Sequence, residues 1–486
     1  MKFAGFVGPS YTAYSPNVAD EECINLFAET IESPGAQTQR SYYGTPGLAS
    51  FIEFDGGPSR GGINTGSRVF EVAADTLYEI FSDGTKTSRG TVSNDGNAVS
   101  MAFSNIQFMI VGAGSAYCYT LATDTLVDVT ADLAGLPIKV KYSDGYFTVI
   151  FQNSNKFQIS APLDGTSWPG IQVNAVSVFA ENIVSIEISH RELWVLGQFH
   201  AQPYQNTGSD NIYDVIPGAL IETGALATFG TGNLDNTVFW VSEDERGARQ
   251  VWRANGYSPA RVSTHAVEYD LTTMGDISGM VAYSYQDMGH LFWVIYIPGS
   301  QWSWTFDVAE GLWHKRATWI PETATWEPHP SWNHISAFGK HLVGDWQTGN
   351  LYEIKMAYDT GGGIYAFVTD NGATIRRVRR SPTTMKELER IYFSELKVQF
   401  ATGLGPQPPL TDGNGDPRQP EAILRWSDDS GNTWSNEQVR GCGFAGQYST
   451  FVRWNRLGET RYGRVFELTL SDPVPWIITD AFMKAA

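Results

Sequence analysis

The sequence predicts an all-β protein: a β-propeller of about six blades followed by an additional C-terminal β-rich, sandwich-like region. Charged residues make up only 17% of the 486 residues, whereas Gly (49), Trp (16), Tyr (22) and Phe (26) are plentiful, which suits short strands joined by tight turns. Alternating apolar and polar segments recur, each ending in turn residues, and helical periodicity is nearly absent. These segments return at the interval of propeller blades.

The repeating unit is a strand, a turn and a second strand, as in residues 237–254, 290–308 and 340–355. One apolar position in each unit marks the repeat: Val69, Phe108, Phe147, Leu193, Val238, Leu291 and Leu342. Successive marks lie 39 to 53 residues apart, and one four-stranded blade takes roughly 40 to 50 residues. About six blades therefore fit before residue 375; a series of unrelated β-sandwich domains is the alternative.

Charge divides the chain in two. Residues 1–375 hold 18 Lys and Arg against 39 Asp and Glu, and residues 376–486 hold 15 against 13. We therefore predict an acidic propeller body over 1–375 and an arginine-rich region over 376–486, with the Gly-rich residues 360–363 shortly before the boundary. An acidic body repels phosphate, which argues against tight duplex binding by that part.

No pattern of a secretory signal or a membrane-spanning helix is visible. The three cysteines, Cys23, Cys118 and Cys442, are far apart and odd in number, which is untypical of a disulfide framework or a zinc site. His329 and His334 lack the ligand spacing of a helical metal site. We expect a soluble protein made in a reducing cytosol, without stable membrane insertion, cofactor or metal.

The boundary itself is basic. Residues 375–382 read IRRVRRSP. Such a strand could contact phosphate, but pairing with the acidic propeller or with a neighbouring subunit is the favoured interpretation. The candidate interface residues are Arg376, Arg377, Arg379 and Arg380.

The stretch SDDSGNTWS, residues 427–435, fits the Ser-x-Asp-x-Gly-x-Thr-Trp "Asp box" of sialidases and other sugar-active propellers. As local structure it predicts a hairpin turn over 428–432 between two strands. Asp429 would accept backbone hydrogen bonds, and Gly431 would supply an unusual backbone conformation. Trp434 would pack beneath the hairpin, and the Ser427 and Thr433 hydroxyls would satisfy remaining backbone groups.

The box could also be read as the acid pair of a glycosidase. Hydrolysis needs two carboxyls about 5 to 9.5 Å apart across the scissile bond, whereas neighbours on a strand, such as Asp428 and Asp429, point to opposite faces. The box occurs once, and the arginine cluster and Arg-Ile-Pro motif of sialidases are missing from the sequence. We expect no enzyme activity. A glycan-binding or glycan-cleaving receptor-binding module is the alternative.

Longer stretches at both ends resemble the packaged-DNA stabilisation proteins of short-tailed bacteriophages, also called tail accessory, nozzle or hub proteins. They are CINLFAE (23–29), YGTPGL (43–48), LRWSDDSGNTWS (424–435) and residues 446–475. The resemblance implies a virion structural protein without catalytic residues. It also assigns a terminal signature, with possible interface residues, to Arg453, Trp454, Arg456, Arg461 and Arg464.

The resemblance further implies a homo-oligomeric ring, commonly a hexamer, below the portal and a tail adaptor protein. Such a ring closes the tail, retains the packaged DNA and forms part of the channel for genome ejection. Double-stranded DNA would pass without specific binding, and a tail needle, fibres or tailspikes are further candidate partners. Assembly in the host cytoplasm is expected. Our hypothesis is that the acidic portion lines or flanks the DNA path while the arginine-rich portion docks on a neighbour.

Overall fold

The computed structural model describes residues 2–15, 19–32, 40–209, 211–356, 367–387, 389–401, 403, 410–448 and 450–486. The predicted all-β class is confirmed. In these residues the structure has one α-helix, α1 (His265–Thr273), and two short 3-10 turns, Thr130–Asp132 and Gly170–Gln172. The Gly-rich residues 360–363 lie outside the described residues.

Four strands precede the propeller repeats in the chain. They are β1 (Glu22–Ile24), β2 (Leu26–Thr30), β3 (Arg40–Gly44) and β4 (Gly47–Glu53).

Seven blades follow, each running from an innermost strand outward. The strands of blades 1 to 4 are β5 (Ser59–Asn64), β6 (Val69–Ala73), β7 (Thr76–Ile80) and β8 (Lys86–Thr91); β9 (Ser100–Phe103), β10 (Gln107–Gly112), β11 (Ser115–Thr120) and β12 (Thr125–Asp128); β13 (Pro137–Ser143), β14 (Tyr146–Phe151), β15 (Lys156–Ile159) and β16 (Val173–Ala175); and β17 (Ile183–Ser189), β18 (Glu192–Gly197), β19 (Ala201–Asn206) and β20 (Tyr213–Val215). Those of blades 5 to 7 are β21 (Thr231–Leu234), β22 (Thr237–Glu243), β23 (Arg249–Arg253) and β24 (Ala260–Arg261); β25 (Val281–Asp287), β26 (His290–Tyr296), β27 (Ser303–Asp307) and β28 (Leu312–Ile320); and β30 (Ser331–Ala337), β31 (Lys340–Asp345) and β32 (Asn350–Lys355). Between blades 6 and 7, β29 (Thr325–Pro328) forms a hairpin with the end of β28.

The described residues form seven blades, one more than predicted. The seven repeat marks leave six intervals along the chain, but in a closed ring the last unit is followed by the first, so seven marks make seven blades. Neighbouring innermost strands pack side by side around the whole ring, including β30 beside β5. Blade 7 takes its outermost strand, β4, from the N-terminal part of the chain.

The marks themselves fall on the second strand of each blade, where almost every residue is buried. Such a strand is covered on both faces by neighbouring blades, so it reads as a continuous apolar run. This burial explains why the repeat is visible in the sequence.

Strands β33 (Thr369–Asp370) and β34 (Ala373–Thr374) extend blade 7 beyond β4. The other strands form a β-sandwich with β1 to β3; they are β35 (Arg377–Arg380), β36 (Ile391–Phe400), β37 (Glu421–Ser427), β38 (Gln438–Gly441), β39 (Phe451–Thr460), β40 (Val465–Leu470) and β41 (Ile477–Ala485). One sheet has the order β1-β35-β40-β37-β38 and the other β2-β3-β41-β36-β39. Their inner faces enclose a core that includes Leu396, Trp454 and Phe466.

Strands β1 and β3 thus pair with C-terminal strands, and β2 pairs with β3, although the predicted division placed residues 1–375 in the propeller. With residues 1–46 counted in the sandwich, the propeller holds 16 Lys and Arg against 34 Asp and Glu, and the sandwich 17 against 18. The propeller remains strongly acidic, whereas N-terminal carboxylates offset the arginines of the sandwich.

A continuous sheet joins the two units. Strand β28 is the outermost strand of blade 6, and it pairs in parallel with β1 at Lys315 and Ile24. Strand β1 is in turn antiparallel to β35, so blade 6 and one sheet of the sandwich share ten strands. The buried ion pair between Lys315 and Glu22 (2.9 Å) lies across this junction.

Candidate functional site

The Asp box forms a compact turn at the end of β37. The Asp429 carboxylate accepts hydrogen bonds from the Ser427 hydroxyl (2.7 Å) and from the Thr433 backbone N–H (2.7 Å) and hydroxyl (2.6 Å). Ser427 Oγ also accepts a hydrogen bond from the Gly431 N–H (2.8 Å). These donors lower the pKa of Asp429 to about 2. The predicted second hairpin strand begins only at Gln438, because the turn extends to residue 433 and residues 434–437 belong to no strand.

Trp434 connects this turn to the basic strand. Its ring lies under two guanidinium groups, with Arg425 Cζ at 4.5 Å and Arg380 Cζ at 5.0 Å from the ring centroid. Both arginines also pair with the buried carboxylate of Glu467, Arg380 through Nη2 at 2.8 Å and Arg425 through Nη2 at 2.5 Å. The Trp434 ring therefore packs against a cluster of ion pairs and does not fill an apolar space beneath the hairpin.

The N-terminal segment completes the cluster. Asp20 receives a hydrogen bond from Arg380 Nη1 (2.7 Å). Gly431 has φ +89°, and a Cβ added there would lie 2.4 Å from Asp20 Oδ2. Glycine is thus required at this position both by conformation and by the close approach of Asp20.

The second acid of the box, Asp428, also has a hydrogen-bonded partner. Both oxygens of Asp428 accept hydrogen bonds from the buried Arg464 guanidinium, at 2.6 and 2.7 Å. Asp428 and Asp429 therefore hold different partners and are not arranged as a facing acid pair, in agreement with the expectation from their adjacency.

The arginines of the basic strand, predicted to pair with the acidic propeller or with a neighbouring subunit, make contacts with N-terminal residues of the same chain. Arg377 and Arg379 are 2% and 0% exposed, and Arg379 donates to the Gly5 and Phe6 carbonyls (both 2.8 Å) and pairs with Glu21. Arg380 belongs to the cluster under Trp434. Arg376 is half-buried, with its Cζ 4.2 Å from the centroid of the Trp319 ring. The arginines pair within the chain because carboxylates and carbonyls of the N-terminal segment lie next to this strand.

The terminal signature separates into buried and exposed residues. Trp454 is fully buried and donates through Nε1 to the Gln438 carbonyl (2.9 Å). Arg464 is buried against Asp428, so it is not available as an interface residue. Arg453, Arg456 and Arg461 are exposed on or just beyond β39.

Asn25 is a structural residue that sequence reasoning missed, although it lies inside the CINLFAE stretch. Its side chain donates to the carbonyls of Ala317 (2.7 Å) and Arg376 (2.8 Å) and accepts from the Ala317 N–H (2.9 Å). It has φ 56°. Asn tolerates a positive φ better than most residues. An Asn directly after a short predicted strand was therefore the feature of the sequence that could have indicated this role.

A cavity of about 290 Å³ lies on the propeller axis, lined by residues from the innermost strands of all seven blades. Lys139 and Lys141 pair there with Glu187 at 2.8 and 2.7 Å. Burial alone would raise the pKa of Glu187, but the two ammonium groups lower it to about 2. The cavity is far too small for a DNA duplex, whose major groove alone is about 12 Å wide.

Within the described residues, no group of three or more His, Cys, Asp or Glu side chains is placed to hold a metal ion. Nor does any helix in that part of the chain have the length and apolarity to cross a membrane.

Comparison with known families gives two matches. Residues 8–359 match the model described as "Bacteriophage P22 Gp10, beta-propeller", and residues 376–486 match "Bacteriophage P22 Gp10, beta-sandwich". No curated protein matches the chain.

Solved structures give only distant likenesses. YCF48 from Cyanidioschyzon merolae is 13% identical with a TM-score of 0.38, covering 68% of this chain and 98% of that one. The Cps50 (Swd1) β-propeller domain of Myceliophteria thermophila is 9% identical with a TM-score of 0.39, covering 63% and 99%. Likenesses of this size carry no functional argument.

Proposed function

Because the chain belongs to the bacteriophage P22 Gp10 family and is thus a structural component of a phage tail, we propose that it forms the nozzle ring below the portal and adaptor. The ring closes the tail after packaging, retains the DNA and later forms part of the ejection channel. Its role is structural and not catalytic.

The continuous ten-stranded sheet is the observation that carries this proposal. A sheet that runs from blade 6 into the sandwich fixes the two units in one orientation. Inter-domain motion is the default when an interface is small and polar, and here backbone pairing, Asn25 and the Lys315–Glu22 ion pair replace such an interface. A rigid body of this kind suits a ring subunit that must resist the pressure of packaged DNA.

The DNA path lies outside any single propeller. The axial cavity has a volume of only about 290 Å³, so a duplex channel has to be enclosed by several copies. An acidic propeller wall, with 34 Asp and Glu against 16 Lys and Arg, repels the phosphate backbone. Such a wall lets DNA pass without adsorbing.

The test uses the phage that encodes the chain. Without this protein, heads package DNA but lose it, so nuclease-protected DNA per particle falls; supplying the protein in trans restores it. Cryo-EM of the tail then places a ring of this chain below the adaptor. Particles that retain DNA without the protein contradict the proposal.

The glycan-directed alternative gives a different result in the same preparation. A receptor-binding module is dispensable for DNA retention but required for adsorption to cells, and a glycan-cleaving one releases sugar from bacterial polysaccharide. Loss of adsorption with normal DNA retention would replace the nozzle proposal.

A further inference from the structure

The sandwich sheet β2-β3-β41-β36-β39 has one face on the core and one outer face, and the outer face changes character along its width. At the β2 and β3 end it is covered by the propeller, where Phe27 stacks on Tyr43 and meets Phe292 of blade 6 edge-on, with centroids 5.7 and 5.6 Å apart. Over β41, β36 and β39 the same face is open. We call this open part the outer sheet face.

The outer sheet face is basic and aromatic. Lys397 lies opposite both Arg453 and Phe482 in the strand register. The Phe451 ring is 50% exposed, and Lys397 Nζ and Arg453 Cζ both lie 5.5 Å from its centroid. A flat aromatic group held between two cations resembles the Arg- and aromatic-rich centres of protein interfaces.

Further basic residues extend the face, and its acidic residues are outnumbered. Arg456, Arg461 and Lys484 are exposed on or beside it. Glu395 is shared between Lys397 and Arg453 at 3.3 Å each, and Glu459 pairs with Arg390 at 3.2 Å. Lys2 neutralises the nearby Asp480 at 2.9 Å. The face therefore carries net positive charge on a chain whose formal charge is −19.

We propose that the outer sheet face docks on the acidic propeller of a second copy of this chain, which makes the ring contact heterologous. This inference rests on the proposed ring function and names the surface that builds the ring. Two outer sheet faces repel each other, so this surface disfavours a two-fold dimer. A basic face on one copy and an acidic body on the next instead give a head-to-tail contact, which closes into a ring when the rotation permits.

The test is a charge reversal with a control variant. Lys397→Glu/Arg453→Glu changes the outer sheet face, and Arg440→Glu reverses the charge of an exposed residue on the other sheet of the sandwich. Lys397→Gln/Arg453→Gln serves as a milder variant, and melting curves establish which proteins are folded. Mass is measured by light scattering for each chain alone and for its complex with portal and adaptor.

We expect the control to assemble like the wild type and the reversed variant to lose subunit affinity on the order of tenfold or more, as like charges meet. The neutral variant falls between them. Wild-type assembly weakens as salt rises from about 0.1 M to about 1 M, where the screening length falls from about 10 Å to about 3 Å. Mixing the reversed variant into wild type shortens assemblies, because each reversed copy still accepts a neighbour but cannot dock on the next.

Two results overturn the inference and separate it from the ring itself. If the folded reversed and neutral variants assemble as well as the control, the ring stands and the outer sheet face is not its contact. If wild type remains monomeric alone and on portal and adaptor, the ring proposal fails and this inference fails with it.

Discussion

At the scale of single residues, Asn25 shows how a short polar side chain can join three segments distant in the sequence. It follows β1, contacts β28 through Ala317 and the start of β35 through Arg376, and is 1% exposed. Its positive φ and its three side-chain hydrogen bonds contribute separately to the free energy of unfolding, and two substitutions can distinguish the two contributions.

Replacing Asn25 with Gly keeps the backbone conformation but removes the three bonds, at about 1 kcal/mol each. We expect Asn25→Gly to lower the free energy of unfolding by about 3 kcal/mol. Asn25→Ala adds the cost of a Cβ at positive φ, about 1 kcal/mol more. Urea titration followed by tryptophan fluorescence checks both; equal losses in the two variants would show that the backbone conformation contributes nothing.

Buried arginines form a second group of residue-scale features, and they differ in how well they are paired. Arg379 donates to three backbone carbonyls and to Glu21. Arg316 is 1% exposed; its Nε donates a long hydrogen bond to His314 Nε2 (3.4 Å), whereas its Nη1 and Nη2 have no hydrogen-bond partner. The rings of Tyr285 and Phe292 lie beside its Cζ, at 5.3 and 4.9 Å.

This difference predicts opposite results for the same substitution. Arg379→Met leaves buried carbonyls unsatisfied and should cost about 3–5 kcal/mol. Arg316→Met replaces a buried charge whose one hydrogen bond is the long contact with His314 with an apolar chain of similar length, and should be neutral or stabilising by about 1–4 kcal/mol. Thermal unfolding of the two variants tests the contrast, and a severe loss from Arg316→Met would mean that the Arg316 charge is compensated.

Asp429 gives the box a defined pH dependence. Hydrogen bonds from Ser427 and Thr433 lower its folded-state pKa from 3.8 to about 2. A depressed carboxyl pKa stabilises the fold above the unfolded-state value, and this stabilisation is lost as pH falls from about 4 towards 2. Asp429→Ala should lose stability or assembly at neutral pH.

Asp429→Asn is the matched control, because it keeps acceptor capacity but does not titrate. The melting temperature of wild type minus that of Asp429→Asn should shrink between pH 4 and pH 2. Other carboxylates such as Glu187 titrate equally in both proteins, so their contribution cancels when the two melting temperatures are subtracted. A constant difference over that range would contradict the assigned pKa.

At the scale of elements, β4 closes the propeller, and Gly47 at its start explains part of the YGTPGL stretch. A Cβ on Gly47 would lie 2.4 Å from the Thr369 carbonyl oxygen and 2.5 Å from that of Phe367. Both contacts are with backbone, so β4 and β33 pair only because this residue has no side chain.

We expect Gly47→Ala to destabilise the closed propeller by about 1–3 kcal/mol, the usual cost of overpacking. Gly275→Ala is the control, because nothing lies within 4 Å of its added Cβ. Limited proteolysis near blade 7 together with the unfolding midpoint measures the effect. Equal behaviour of the two variants would show that β33 moves aside without cost.

The elements also show what sequence can and cannot predict. The second strand of each blade is recognisable because burial on both faces makes it a continuous apolar run. The outermost strand of blade 7 and the pairing of β1 were missed, because local patterning does not name a partner about 300 residues away. The burial of Arg377, Arg379 and Arg464 was missed for a related reason: charged residues are assigned to the surface unless their partners are known.

At the scale of the whole molecule, charge is the property with functional consequence. Assigning residues 1–46 to the sandwich leaves 34 Asp and Glu against 16 Lys and Arg on the propeller. The C-terminal excess of basic residues, 15 against 13, is offset by Asp20, Glu21, Glu22 and their neighbours. The sandwich is therefore nearly neutral in total, and its basic character comes from where its charges are exposed.

The purified chain should therefore not bind duplex DNA. Fluorescence anisotropy with a labelled duplex at about 0.1 M salt, where the screening length is about 10 Å, should show no saturable binding at micromolar protein. The outer sheet face carries net positive charge, so the Lys397→Glu/Arg453→Glu variant is the control. Tight binding by wild type that this variant abolishes would assign that face to DNA.

The closure of the propeller by β4 and the pairing of β1 with β28 also determine when these strands can pair during synthesis of the chain. Strands β2 and β3 pair with each other locally, but β1 and β4 find partners only after residues 312–355 have been made, and β3 meets β41 only after residues 477–485. At roughly 5–20 residues per second, the earliest strand waits roughly 15–60 s for its partner. Throughout that delay apolar strand edges are exposed on the ribosome, so the yield of native protein depends on how long the emerging chain avoids aggregation as well as on the stability it finally reaches.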